Sequence, residues 1–210
     1  MEHPGWSPSL YPRWLERFLP LFDPNNDADY RLVSQLSQSA EHGVLRALTA
    51  SNLSGSYRPF PVGVSMLGHE CTDPYIRGFR PGEKFKWFQG ANRKLSKVSR
   101  KICGENIALG ALIQAQYTKV LLVVVVGPVQ PDNESGLLSR TLHPCGPCRD
   151  EMSAVKEITD RTIFITVTRF GAMLLKVCED ITVDILLEMG LAEVQLLPEI
   201  IARHQTHLQT

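Results

Sequence analysis

Three cysteines and one glutamate set the chemistry open to this chain. Cys103-Gly104-Glu105 comes first, and Pro144-Cys145-Gly146-Pro147-Cys148 follows. Three thiolates can hold a divalent metal ion and leave its fourth position open, as in a catalytic zinc site; a structural site closes all four. Glu105, two residues past a ligand, can lie beside water at that open position without binding the metal. A carboxylate so placed can take a proton from water and pass it on. Other readings stand beside this one. A Cys-x-x-Cys can be redox-active or half of a structural zinc site, although no second such pair is present to complete the latter. His143, two residues before Cys145, offers a fourth ligand. Glu105 can be a first-turn helix residue favoured only by the dipole. Cys71 and Cys178 read as small buried hydrophobes.

Both motifs fall where a helix is expected to begin, one over Cys103–Gln116 and one from Cys148 to about Ile158. Cys145 and Cys148, three apart, share a face at the second start. Helix N-termini carry partial positive charge and open N–H donors, which favour thiolate over thiol. Three thiolates on one Zn²⁺ leave a net charge of minus one, so a cation must compensate, and Arg149 is the natural candidate. Leu32, Leu36, Ala40, Val44 and Leu48 recur at helical spacing, with Leu45 widening the apolar face. Val62–Leu67 and Lys84–Ala91 read as strands, the second with the aromatics Phe85, Trp87 and Phe88. His69–Gly82, rich in Pro and Gly, reads as a loop. Val120–Gly127 is an unbroken aliphatic strand, expected to be covered on both faces as in a central parallel sheet. Strands at Thr162–Thr168 and Met173–Val177 and a helix at Thr182–Met189 follow. The pattern implies an α/β chain folded as a three-layer sandwich. Its body spans 29–190, between a proline-rich N-terminal arm (1–28), either flexible or packed by its aromatics, and a partly helical C-terminal tail (191–210).

At 210 residues the chain can bury a real core, and its 43% hydrophobic and 21% charged content is ordinary for a globular protein. Lys plus Arg and Asp plus Glu each total 22, so no global field draws it to nucleic acid or anionic membrane. Five cysteines form no disulfide framework. The first residues carry neither a basic region nor an apolar run, and Val120–Val126 is too short to span a bilayer. A reducing, cytoplasmic compartment is the expectation.

The motifs resemble those of the cytidine deaminase superfamily, and within it the small homotetrameric cytidine deaminases. Cys-x-Glu followed by Pro-Cys-x-x-Cys is the three-cysteine form of the zinc deaminase signature. Tyr57-Arg58-Pro59-Phe60-Pro61-Val62-Gly63-Val64 resembles the family's Tyr-Ser-x-Phe-x-Val-Gly-Ala segment, whose Phe contacts the base. Gly90-Ala91-Asn92 stands where the family has Gly-x-Asn, whose Asn binds the ribose. Pro144-Cys145-Gly146-Pro147-Cys148-Arg149 stands for Pro-Cys-Gly-x-Cys-Arg. The resemblance covers roughly residues 30 to 190. It implies an α/β/α sandwich around a central mixed five-stranded sheet. It further implies Zn²⁺ on Cys103, Cys145 and Cys148, with Glu105 as the catalytic proton carrier. Phe60 and Asn92 would meet the substrate, a cytidine-like 4-aminopyrimidine nucleoside converted to its uridine counterpart with release of ammonia. A homo-oligomer, tetramer or dimer, with active sites completed by neighbouring subunits is also implied.

Three departures bear on the substrate. Lys94 stands where the family has a ribose-binding Glu, and an ammonium cannot accept a hydrogen bond from a sugar hydroxyl. Asn106 replaces an Arg that neutralises the thiolates. Extra residues lie between Phe60 and Asn92 and before Pro144. Lys94, with Arg93, Lys97 and Arg100, is either a solvated charge run or a seat for a carboxylate or phosphate. The alternatives to a nucleoside deaminase are a blasticidin-S-deaminase-like enzyme, which also lacks that Glu, a polynucleotide editor and a catalytically silent zinc-binding homologue.

Overall fold

Val120–Val126 has no polar face to offer water, so the sheet forms around it. In the computed structural model this run lies within β3 (Tyr117–Gly127), every residue from Val120 to Gly127 buried. The structure describes residues 10–56, 60–71, 85–128, 130–131, 138–139, 141–169, 182–198 and 200–202. The other strands are β1 (Gly63–Cys71), β2 (Lys86–Ala91), β4 (Ile158–Thr168) and β5 (Ala192–Gln195), in the order β2-β1-β3-β4-β5. Only β3 and β4 pair in parallel; the other three pairs are antiparallel. The sheet is thus mixed, and β3 is central without being part of an all-parallel sheet.

Alternation along β3 divides the core. Leu122, Val124 and Val126 point to one face, Val123 and Val125 to the other. The ladder slips at Leu121, which joins Leu122 on the first face because a bulged residue breaks the two-residue period. On that face lies α2 (Asp27–Ser51), joined by α1 (Arg13–Glu16) and α5 (Val183–Glu188). The opposite face carries α3 (Gly104–Gln114) and α4 (Gly146–Ala154). Helices on both faces of a mixed five-stranded sheet make the expected three-layer α/β/α sandwich.

Helix α2 starts on Asn26, whose side chain accepts from the N–H groups of Ala28 and Asp29. Its buried ridge is Val33, Leu36, Ala40, Gly43, Val44, Ala47 and Leu48. Leu45 lies off that ridge at 37% exposure, so it does not widen the apolar face as its type suggests. Asp29 is buried and accepts two hydrogen bonds from Arg161 of β4, at 2.9 and 3.1 Å. That pair pins the start of α2 to the sheet.

The N-terminal segment is not loose over its described part. Trp14, Leu15, Phe18, Leu19 and Phe22 are buried in the α2 face of the core. Asp184 of α5 accepts from the backbone N–H groups of Arg13 and Trp14, both at 2.9 Å. The segment read as a C-terminal tail supplies β5, antiparallel to β4. The strand expected at Met173–Val177 lies outside the described residues, as does most of the loop expected over His69–Gly82; His69 and Glu70 extend β1. Among the described residues no helix is long and apolar enough to cross a membrane.

Candidate metal centre

The two helices on the second face differ from α2 and α5 at their first residue. Asn26 and Thr182 cap α2 and α5 with side-chain oxygens. Helices α3 and α4 begin on Cys103 and Cys145, which make no side-chain cap. Their sulfurs turn to one another instead. Cys103 Sγ lies 3.8 Å from Cys145 Sγ, which lies 3.3 Å from Cys148 Sγ in the first turn of α4. All three sulfurs fall within 4.8 Å of one another. Disulfide sulfurs would be about 2.05 Å apart, so these are free thiols. Thiolates about 2.3 Å from a tetrahedral ion lie about 3.8 Å from each other, so the observed spacing fits three corners around zinc.

What sets this geometry is the contact of α3 with the sheet. A Cβ added to Gly90 of β2 would stand 2.0 Å from the Gly104 carbonyl oxygen. Only glycine at position 90 lets the first turn of α3 lie this close, and that turn carries Cys103 and Glu105. On the other side Asn106 donates a short hydrogen bond from its amide to Glu151, tying α3 to α4. The residue standing where a thiolate-neutralising Arg was expected thus joins the two ligand-bearing helices.

The electrostatics suit a cation. Cys103 and Cys148 share a hydrogen bond that lowers the Cys103 thiol to about 6 and holds Cys148 far above the ordinary thiol range. Glu105 is 5% exposed beside them, and burial pushes its carboxyl up to about 7. Cys148 reaches that carboxyl by a hydrogen bond, and Lys101 acts on both Cys103 and Glu105 through its charge.

His143 is placed elsewhere. Its Nδ1 accepts from Gln195 Nε2 at 2.7 Å, and its Nε2 lies 3.0 Å from Glu193 Oε2. Glu193 and Gln195 share one face of β5, so both ring nitrogens are committed to the edge strand. Arg149 is half-buried in the first turn of α4. Asn92 is 3% exposed and its amide works as a clasp. Its Oδ1 accepts from the Val62 N–H at 2.9 Å and from the Ser54 hydroxyl, while its Nδ2 donates to the Phe60 carbonyl at 2.8 Å. Phe60 packs on the second core with Lys101 Nζ 5.9 Å from its ring centroid. Tyr57, Arg58 and Pro59 lie outside the described residues. Lys94 is half-buried on a two-residue strand parallel to Gly55–Ser56. Sequence reasoning passed over Lys101, Ser54 and Glu151 as parts of this neighbourhood. The cation before Cys103 was the one available signal, hidden within a longer basic run. Cavities of about 440 and 530 Å³ lie away from the cysteines, beside α1 and β5 and beside the start of α2.

No family model matches the chain, and no curated protein matches it. Solved structures do. The cytidine deaminase from Burkholderia pseudomallei is 20% identical, with a TM-score of 0.45 over 62% of this chain and 85% of that one. The cytidine deaminase from Mycobacterium leprae is 20% identical, at 0.41 over 60% and 85%. The cytidine deaminase from Mycobacterium tuberculosis is 15% identical, at 0.41 over 60% and 82%.

Proposed function

We propose that the protein hydrolytically deaminates a cytidine-like 4-aminopyrimidine nucleoside to its uridine counterpart, releasing ammonia. The observation that carries this is buried Glu105 lying against Cys103 and Cys148, two of three cysteines whose sulfurs fall within 4.8 Å of one another. Zn²⁺ is the cofactor that the donor set fits. Cys103, Cys145 and Cys148 would hold it, and when bound it supplies Lewis acidity and makes water acidic enough to ionise near neutral pH. Glu105 accepts a proton from water and gives it to ring N3 as the oxygen adds at C4; it then takes the second proton from the new C4 hydroxyl and delivers it to the departing amine as the C4–N bond breaks. Burial lowers the cost of carrying that proton between steps, because the neutral carboxyl is the better-tolerated form in an apolar surround.

The remaining residues take supporting roles. Phe60 packs the base, and Asn92 fixes the Phe60 loop while keeping one amide hydrogen for the sugar. Arg149 and Lys101 supply positive charge to offset three thiolates on one divalent ion. The partner is a small-molecule nucleoside rather than nucleic acid or membrane, the compartment cytoplasmic, and the assembly a homo-oligomer, tetramer or dimer. Lys94, where a sugar-binding carboxylate was expected, favours as a second reading a blasticidin-S-deaminase-like activity on a nucleoside antibiotic.

The test is ammonia release by the zinc-loaded protein on cytidine, deoxycytidine, cytosine, CMP and blasticidin S. Turnover of at least one is expected. Stoichiometric zinc with silence across the panel would leave a catalytically silent homologue and end the proposal.

A further inference from the structure

Residues 93–102 form a closed hairpin that the chemistry described so far leaves largely without a task. Two backbone hydrogen bonds between Arg93 and Ile102, 2.8 and 2.9 Å, seal its base. Ser96 and Ser99 seal its tip, each hydroxyl accepting from the other's backbone N–H, at 3.1 and 2.8 Å. The hairpin runs straight into Cys103, so its orientation is set by the start of α3.

Arg93, Lys94, Lys97, Arg100 and Lys101 all lie on this hairpin, and no acidic residue does. The whole chain is neutral, so this is a local excess of positive charge. Arg93, Lys97, Arg100 and Lys101 are exposed, and among the described residues none of these four forms an ion pair. A solvated run would need no link to the active centre. This one has such a link: Lys101 sits over the ring of Phe60 and its charge reaches Glu105. The antiparallel bridge from Arg93 to Ile102 sets Lys94 and Lys101 beside each other at the hairpin's base. Positive charge therefore begins beside the ring that would pack the pyrimidine and continues along the hairpin.

We infer, resting on the deaminase reading, that the substrate is a pyrimidine nucleoside monophosphate whose phosphate is held by the hairpin spanning Arg93 to Lys101. Guanidinium forks and ammonium donors both suit phosphate oxygens. Lys94 then has a purpose: it cannot accept from a sugar hydroxyl, but it can donate to a phosphate. A single-stranded polynucleotide fits less well. Such strands stack on aromatic platforms, and the exposed apolar residues here are the aliphatic Leu95, Val98 and Ile102.

The test is equilibrium binding of uridine and UMP to the zinc-loaded full-length protein, alongside ammonia release from cytidine and CMP. UMP should bind about tenfold more tightly than uridine at low ionic strength, with the preference shrinking as salt rises. Lys97→Glu combined with Arg100→Glu should erase the preference. Lys156→Glu, an exposed cation on the turn after α4, should keep it. Equal affinities for UMP and uridine, or a preference that survives the double reversal, would overturn the inference while cytidine turnover left the deaminase reading standing. Failure to bind either ligand, with no turnover, would remove both. An oligonucleotide binding more tightly than UMP, with that advantage lost on the same reversal, would replace the mononucleotide by a polymer.

Discussion

The two faces of the sheet are built for different ends. The first is covered chiefly by the 25-residue α2, capped by Asn26, with α1 and α5 beside it, and is filled with aliphatic and aromatic side chains. Its deepest charged group, Asp29, has Arg161 as its partner. The second face carries helices of 11 and 9 residues that start on cysteines and have no side-chain caps. There the buried carboxyl, Glu105, is raised by burial and further by the charge of Cys103, while the Cys148 hydrogen bond opposes the shift. The first face thus carries packing and a matched ion pair without chemistry. The other face carries groups whose burial costs folding energy and whose proximity makes a metal centre possible.

Substitutions on each face test that division. Leu36, on the ridge of α2, is fully buried, and Leu36→Ala should cost about 4 kcal/mol in chemical denaturation. Its zinc stoichiometry should not change; loss of zinc would show that the faces are not separable. Glu105→Gln should act in the opposite direction in the metal-free protein. The folded pKa of Glu105 is raised from 4.5 to about 7, so the carboxylate is penalised on folding once the pH exceeds the unfolded value. Gln removes that penalty, which predicts a gain of about 3 kcal/mol at pH 8 and almost none at pH 4. Urea denaturation at the two pH values reads the difference, and a pH-independent effect would contradict it.

Gly90→Ala sharpens the comparison at the joint between sheet and α3. Its methyl would meet the Gly104 carbonyl oxygen, so α3 must lift, at a cost of about 2 kcal/mol. Zinc affinity should fall with it, whereas Leu36→Ala leaves affinity intact. The smallest effect belongs to the sheet rim, outside both faces. Burial raises the Glu70 carboxyl, but the Lys119 ammonium 2.7 Å away, helped by His69 and the Thr118 hydroxyl, outweighs this, and the net shift is downward. A lowered folded pKa gives stability that is present above the unfolded value and lost as pH falls through the folded one. Lys119→Met should therefore cost below about 1 kcal/mol at pH 7 and nothing at pH 2, by thermal denaturation.

The cysteine cluster and Glu105 could be read from the sequence because metal ligation demands particular residue types at particular spacings. The α2 helix and the β3 strand were equally legible, since burial on one or both faces leaves a periodic or unbroken apolar pattern. Ala192–Gln195 was not, because four residues of alternation are too few to distinguish a strand from a tail. Leu45 shows the same limit from the other side: its type is apolar, but the ridge that packs turns past it. Burial of Trp14 and Phe18 depends on a surface made by α2 and α5, which no local pattern announces. The commitment of His143 to β5 and the bridge from Asn106 to Glu151 join residues far apart in the chain. Only the folded arrangement brings them together.

One measurement bears most directly on the central claim: zinc content and ammonia release, determined together on the wild-type protein and on Glu105→Gln. Both proteins should carry one zinc per chain, with deamination falling by about 10²–10⁴-fold in the variant, because the cysteines hold the metal and the carboxylate moves the proton. A variant that loses its zinc, or one that keeps both zinc and full activity, would contradict the account.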